Sequence, residues 1–430
     1  MQKLIVRIIL TLMLLAGSVL PVNGDCTYHP VVADILSETQ ISRWTTWIAE
    51  LSGEKSVNLS SGEGRILTRS SFVMFEPDQE LSAFDYLKEV LIEMGFKEGQ
   101  DFEVHTYNYP YEDRYPERNW KNLILSFPGS DPMLKEERIL LVAHLDSTSD
   151  QERTLAPGAD DNASGSAGLL EAATVLRHYR FDRTLHLVWF SGEEQNLKGS
   201  EHFVVDYADW LPEIVGVVNL DMFAFDWDND RCFEVHTGAL SGSQQISGCL
   251  QSVIESYNLD LVFDYINDDS ALTRSDHYPF WKAGVPAIMA FENGFYQEGM
   301  TCGTTDRNYR YHTTADTLSY INQETGFSIL QAAIATVAHL AGPSGACFSR
   351  TPSLRQSAKH SSVVLEWDPL PEVDQYQVWL VNAEGWALAG ETKSSRWVIP
   401  SLGTHGSVVF NITAKSKSGC HSFPGTFPNN

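Results

Sequence analysis

From Cys26 to about Gly345 short apolar runs alternate with longer amphipathic ones, and this alternation limits the fold more than any single motif. The runs Asn122–Phe127, Arg138–Asp146, Thr184–Ser191, Ile214–Met222, Cys232–His236 and Pro286–Phe291 are rich in Val, Ile, Leu or aromatic residues. That composition suits strands of a sheet covered on both faces. Ser82–Met94, Ser164–Tyr179, Ser243–Tyr257 and Glu324–Leu340 read as helices, and in the second of these Ala167, Leu170 and Val175 share one face. Such alternation predicts an α/β/α sandwich around a mostly parallel mixed sheet. Ligand sites in such sheets lie at the C-terminal ends of the strands.

The texture changes after Cys347. Arg350–Lys359 is polar and contains Pro352, and strands are expected only beyond it, at Ser362–Trp367, Gln375–Val381, Arg396–Ile399 and Val408–Ser416. Asp368-Pro369, Ala383-Glu384-Gly385 and Gly403–Gly406 separate them as turns. Residues 348–430 therefore read as a small all-β sandwich. The runs Val363-Val364-Leu365-Glu366-Trp367, Tyr376-Gln377-Val378 and Phe410-Asn411-Ile412-Thr413-Ala414 resemble a fibronectin type III domain.

At the other end, Lys3 and Arg7 precede the apolar run Ile8–Leu20, and Val22 and Gly24 place small residues before Asp25. This is the layout of a secretory signal peptide over residues 1–24. No other segment reaches the roughly 18 consecutive apolar residues of a membrane span, so no membrane insertion is expected. A secreted protein, extracellular or periplasmic, is expected to form disulfides among Cys26, Cys232, Cys249, Cys302, Cys347 and Cys420. None of the six lies in a C-x-x-C pattern, and the pairing is not readable from the letters.

Lys and Arg number 30 against 56 Asp and Glu, a formal net charge of −26. A nucleic-acid partner would need a basic face to neutralise phosphates, and an anionic membrane surface would repel this chain. Residues after Phe348 hold seven bases and six acids, so the surplus belongs to the α/β part. Its surface charge would aid solubility or steer cationic partners.

Five segments carry chemistry. Ala143-His144-Leu145-Asp146-Ser147, Phe190-Ser191-Gly192-Glu193-Glu194 and Asn219-Leu220-Asp221-Met222 each close a strand. Pro157-Gly158-Ala159-Asp160-Asp161-Asn162-Ala163-Ser164-Gly165 enters a helix, and Tyr311-His312-Thr313-Thr314-Ala315-Asp316-Thr317 precedes the last one. Singly, each has a bland reading as a turn, a solvated acidic pair or a surface histidine. Together, imidazoles and carboxylates recurring at strand ends are the composition of a hydrolytic zinc site. Two metals would need a carboxylate able to bridge about 3.5–4 Å.

In this order the segments resemble the di-zinc exopeptidases of metallopeptidase family 28, which includes the bacterial leucyl aminopeptidases. The resemblance covers roughly residues 120–340. It implies two Zn²⁺ ions, with His144 and Asp221 at one, His312 and Glu194 at the other, and Asp160 shared. It further implies Glu193 as general base to a two-metal-activated water and Asp146 as the residue orienting His144. A cis peptide is expected after the shared aspartate, at Asp160–Asp161. The phenol of Tyr311 reads either as an aid to the oxyanion or as a packing aromatic. Arg274-Ser275-Asp276-His277-Tyr278-Pro279-Phe280-Trp281 resembles a family segment that supports or lines the site. Trp281, Phe223 and Phe225 fit an apolar pocket or core packing equally well.

The function implied is a secreted aminopeptidase acting on peptides or proteins with a free N-terminus. A carboxypeptidase would need a cationic clamp, and no Arg/Lys cluster accompanies these motifs. A glutaminyl cyclase would use one zinc, and a non-enzymatic receptor on the same fold would have lost ligands. Asn58, Asn162 and Asn411 open glycosylation sequons, of which Asn162 falls inside the metal loop. Asp226-Trp227-Asp228-Asn229-Asp230 looks like the start of a calcium loop. However, Arg231 stands where glycine is needed and Thr237 where glutamate would close the loop, so a solvated acidic loop is expected.

Overall fold

The apolar runs pair into one eight-stranded sheet. Its strands in chain order are β1 (Phe102–Asn108), β2 (Asn119–Phe127), β3 (Arg138–His144), β4 (Thr184–Phe190), β5 (Ile214–Leu220), β6 (Cys232–His236), β7 (Val262–Ile266) and β8 (Ala287–Glu292). In space they run β7-β6-β8-β5-β3-β4-β2-β1. β3 pairs in parallel with β4 and β5, β5 with β8, and β6 with β7. The pairs β1–β2, β2–β4 and β6–β8 are antiparallel, so the sheet is mixed with a parallel centre. The computed structural model describes residues 26–108, 119–294, 300–303, 305–347, 352–359, 362–371, 373–382, 385–400, 409–416 and 420–422. The expected signal peptide lies outside them.

The edge strands β1 and β7 escaped the sequence reading. Both alternate buried with exposed or half-buried positions, because an edge is not enclosed as the centre is. Around the sheet lie α1 (Pro30–Glu38), α2 (Ile41–Leu51), α3 (Ala83–Glu93), α4 (Ser164–Leu176), α5 (Lys198–Asp206), α6 (Ser241–Tyr257), α7 (His277–Lys282) and α8 (Gln323–Ala341). Successive side chains of β3 enter opposite layers. Ile139, Leu141 and Ala143 join the core built with Trp44 of α2, Leu170 of α4, Leu250 of α6 and Ile334 of α8. Leu140 and Val142 join Phe203 of α5 and Phe280 of α7 on the other side. Two helical layers thus enclose β3.

Beyond Cys347, β9 (Leu354–Lys359), β10 (Ser362–Trp367), β11 (Val373–Asn382), β12 (Gly385–Thr392), β13 (Arg396–Pro400) and β14 (Val409–Ser416) form two antiparallel sheets, β9-β10-β13 and β12-β11-β14. Leu354, Leu365 and Trp367 from one meet Tyr376, Val378, Phe410 and Ile412 from the other in one core. β9 corrects the reading of Arg350–Lys359: its exposed Arg355, Gln356 and Ser357 are what a solvated edge strand carries. The sandwich meets the α/β part through polar contacts. Lys415 forms a buried ion pair with Asp101, Gln377 Nε2 donates to the Gly95 carbonyl (3.1 Å), and Arg177 Nη2 lies 2.9 Å from His421 Nδ1. The disulfides are Cys26–Cys249, Cys232–Cys302 and Cys347–Cys420, the last joining the two parts. Among the described residues no helix is long and apolar enough to cross a membrane.

Candidate metal centre

The chemical segments converge at the C-terminal ends of β3, β4 and β5. His144 is the last residue of β3 and is 1% exposed. Its Nε2 lies 3.3 Å from Asp221 Oδ1, just past β5, and 3.2 Å from Asp161 Oδ1. A second group stands opposite. His312 Nε2 lies 3.2 Å from Asp161 Oδ2 and 3.0 Å from Glu194 Oε2. His144, Asp161 and Asp221 form one set whose ligand atoms lie within 4.8 Å of each other; Asp161, Glu194 and His312 form another. Asp161 belongs to both, one oxygen facing each histidine.

This corrects the expectation that Asp160 is shared. The carboxylate of Asp160 turns away from the histidines. Its Oδ1 accepts the Ala224 N–H (2.9 Å), and its Oδ2 accepts from Asn308 Nδ2 (3.3 Å) beside Glu292. The backbone accounts for the division of labour. Asp316 accepts the amides of both Asp160 and Asp161, at 3.0 Å each, and holds the turn as a unit. Asn162 then donates to the Leu220 carbonyl and accepts the Gly165 N–H, fastening the turn to β5 and α4. The cis peptide also falls one bond later than expected, at Asp161–Asn162. Asn162 is fully buried, so its sequon is not an acceptor surface.

Asp146 differs in detail from its expected part. The His144 ring is held at Nδ1 by the backbone carbonyl of Asp146 (3.0 Å), with the carboxylate at 3.8 Å. The Asp146 carboxylate instead accepts the amides of Glu193 and Glu194, at 3.3 Å each. One residue thus aligns the ends of β3 and β4. Arg69, which the sequence did not single out, does similar work. Fully buried, it donates to the carbonyls of Leu145, Leu51, Pro157 and Gly158. It had no motif of its own, because its partners are carbonyls distant in sequence. The segment around Asp276 lies behind the site, where Asp276 accepts from Ser200 and Ser275 accepts from Asn219. Phe223 is a core residue stacked on Trp44, whereas Trp281 is half-buried, packs against the second core and donates to the Ala287 carbonyl.

Electrostatics favour a bound cation. Burial works against the charge on Asp161, yet its bonds to His144 and His312 hold it well below the usual carboxylate range. Burial, then the Asp161 charge, pushes Glu194 up to about 8. Burial also opposes charge on His312, but hydrogen bonds to Asp161 and Glu194 outweigh it and raise the imidazole to about 10. Glu194 Oε1 is buried without a hydrogen-bond partner, an arrangement a metal ion would satisfy. Imidazole nitrogen with carboxylate oxygen is a donor set that suits zinc.

The model of peptidase family M28 matches residues 122–337. The chain belongs to peptidase family M28. It is 27% identical to the probable leucine aminopeptidase of Trichophyton verrucosum, over 47% of this chain and 52% of that one. It is 28% identical to aminopeptidase YwaD of Bacillus subtilis, over 43% and 37%. The M28 chain thus spans about half the length, or less, of these curated relatives. The fold is shared with the Legionella pneumophila LapA aminopeptidase at TM-score 0.55 and 21% identity, covering 79% of this chain and 80% of that one. It is also shared with an Acidobacteriales glutaminyl cyclase at TM-score 0.50 and 19% identity, over 70% and 93%. Fold alone therefore does not choose between these chemistries.

Proposed function

We propose that this M28 peptidase is a secreted aminopeptidase working with two zinc ions. The observation carrying this reading is Asp161, whose two oxygens serve two histidine–carboxylate sets. His144, Asp221 and Asp161 would hold one ion, and His312, Glu194 and Asp161 the other. Bound there, the pair would polarise the scissile carbonyl and acidify the attacking water. Glu193 accepts the proton of that water and returns it to the leaving amine. Asp146 positions base and ligand together by accepting both their amides. Tyr311 stacks on the His312 ring at 3.7 Å, and burial followed by the Asp161 charge raises its pKa, so its hydroxyl keeps the proton it donates to the oxyanion.

The acidic surroundings suit the α-ammonium of a free N-terminus, and the aminopeptidase names of the curated relatives agree with this. Three disulfides and the signal-peptide pattern support export, with residues 25–347 as the peptidase domain. Residues 348–430 form the fibronectin type III-like appendage in this reading. The test is a panel of aminoacyl-arylamides, with and without chelator, beside N-blocked, N-terminal glutaminyl and C-terminal substrates. Chelator-sensitive cleavage of the unblocked substrates is expected. Cyclisation of the glutaminyl peptide without such cleavage would overturn the reading. Glu193→Gln should abolish turnover with zinc content unchanged, and persisting turnover would remove Glu193 as the base.

A further inference from the structure

Asp226, Asp228 and Asp230 lie in the loop after β5, and the fold brings a fourth carboxylate, Asp306, to them from a distant segment. The four offer oxygens that all lie within 4.8 Å of one another. We propose that these four aspartates bind a hard divalent cation of the calcium class, at a site separate from the candidate zinc centre.

Burial distinguishes this group from a solvated acidic loop. Asp226 is 6% exposed and Asp306 5%. Asp226 commits Oδ2 to Asn322 Nδ2 (3.1 Å) and Thr325 Oγ1 (2.6 Å). Its Oδ1, and Oδ2 of Asp306, are buried with no hydrogen-bond partner. A buried carboxylate oxygen left unpaired among like charges is costly unless something positive meets it. Among the described residues no Lys or Arg is paired with any of the four. The adjacent Arg231 turns instead to the carbonyls of Asp260 and Leu259 and to Ser328. Burial, then the charges of Asp228 and Asp226, pushes Asp306 up to about 7, a strain that a cation would relieve.

The chemistry selects the ion. All donors are carboxylate oxygens, with neither imidazole nor thiolate, which excludes a zinc-like preference. Calcium takes about 6–8 oxygens in flexible geometry, and the exposed Asp228 and Asp230 leave room for water and carbonyls. Magnesium rarely gathers so many protein carboxylates. The place is held by the chain itself. Cys232–Cys302 joins the two segments covalently, and Asp230 Oδ1 accepts the Cys232 N–H (2.8 Å). The cation would pin the loop after Asp221 to the segment leading to His312. That pairs two loops whose side chains stand in the zinc centre, so calcium would steady both.

The test uses the full chain, zinc-loaded and freed of excess metal, titrated with CaCl₂ by calorimetry and by thermal melting. A single bound calcium ion is expected. At about 100 times the dissociation constant the melting temperature should rise by roughly 3 °C, with a smaller rise for magnesium. The double variant Asp228→Asn/Asp230→Asn changes exposed residues and should fold. It should lose both calcium heat and thermal shift while zinc content stays at the wild-type value, and Asp306→Asn should do the same. The readout is calcium binding, so it stands whether or not the protein cleaves peptides. No heat and no shift in the wild type, or a shift that survives in the double variant, would overturn the site.

Discussion

Exchanging Asp161 and Asp160 for Asn, one at a time, separates the two neighbours and tests the core of the proposed centre. The two changes are chemically identical and one residue apart. Asp161→Asn keeps size and one carbonyl oxygen but removes a charge facing both His144 and His312 at 3.2 Å. Losing an outer partner of a metal ligand costs about 10–100-fold in affinity. A directly binding charge should exceed that at each ion, so the pair should lose at least about 10⁴-fold, or about 5.5 kcal/mol. Asp160→Asn has a different expectation. Its Oδ1 can still accept the Ala224 N–H, and its new amide can face Glu292 in place of the lost Asn308 contact. The change is worth about one hydrogen bond, about 1 kcal/mol of stability, with zinc content preserved. Metal-to-protein ratios after dialysis across buffered free-zinc concentrations decide the matter. If Asp161→Asn holds zinc like the wild type while Asp160→Asn empties, the assignment of the shared ligand is wrong.

Three further outcomes follow from the geometry. The metal-free protein should lose stability as pH rises from about 6.5 to about 8.5, because Glu194 (about 8) and Asp276 (about 7), each raised first by burial, bind protons in the fold that they release on unfolding. Zinc should remove this slope, and scanning calorimetry with chelator and with zinc checks both signs. Arg69→Met should destabilise by at least about 4 kcal/mol and weaken zinc binding, since four carbonyls are stranded at about 1–3 kcal/mol each; urea melts that match the wild type would refute it. Lys415→Met takes away the ion-pair partner of Asp101 in the seam between the two parts, leaving that carboxylate the Lys97 N–H (2.8 Å), and should cost about 3–5 kcal/mol by the same measurement.

The interior of the fold was legible because burial on both faces writes itself into composition. β3, β4 and β5 are almost wholly apolar, and no other arrangement would shelter Ile139–Val142 and Leu185–Val188. The edge strand β7 was not legible, since Val262 lies in the open and Asp264 serves the amides of Thr301 and Cys302. The short helix α7 hid behind Pro279. The family resemblance pointed to the turn that carries the two aspartates and implied a zinc chemistry for it. It missed which of two adjacent aspartates faces the histidines.

By themselves the letters determined where carboxylates and imidazoles cluster along the chain and that the helices and inner strands would bring them to one end of a sheet. Tertiary structure alone decided which way each side chain points. In an irregular loop direction follows the backbone, and the turn Asp160–Asn162 is held at its backbone by Asp316 and at its side chains by Ala224 and Leu220, all far away in sequence. The same reason explains the acidic loop. Asp226-Trp227-Asp228-Asn229-Asp230 is an incomplete calcium pattern when read along the chain, and it gains its fourth carboxylate through a fold that sets Asp306 beside it.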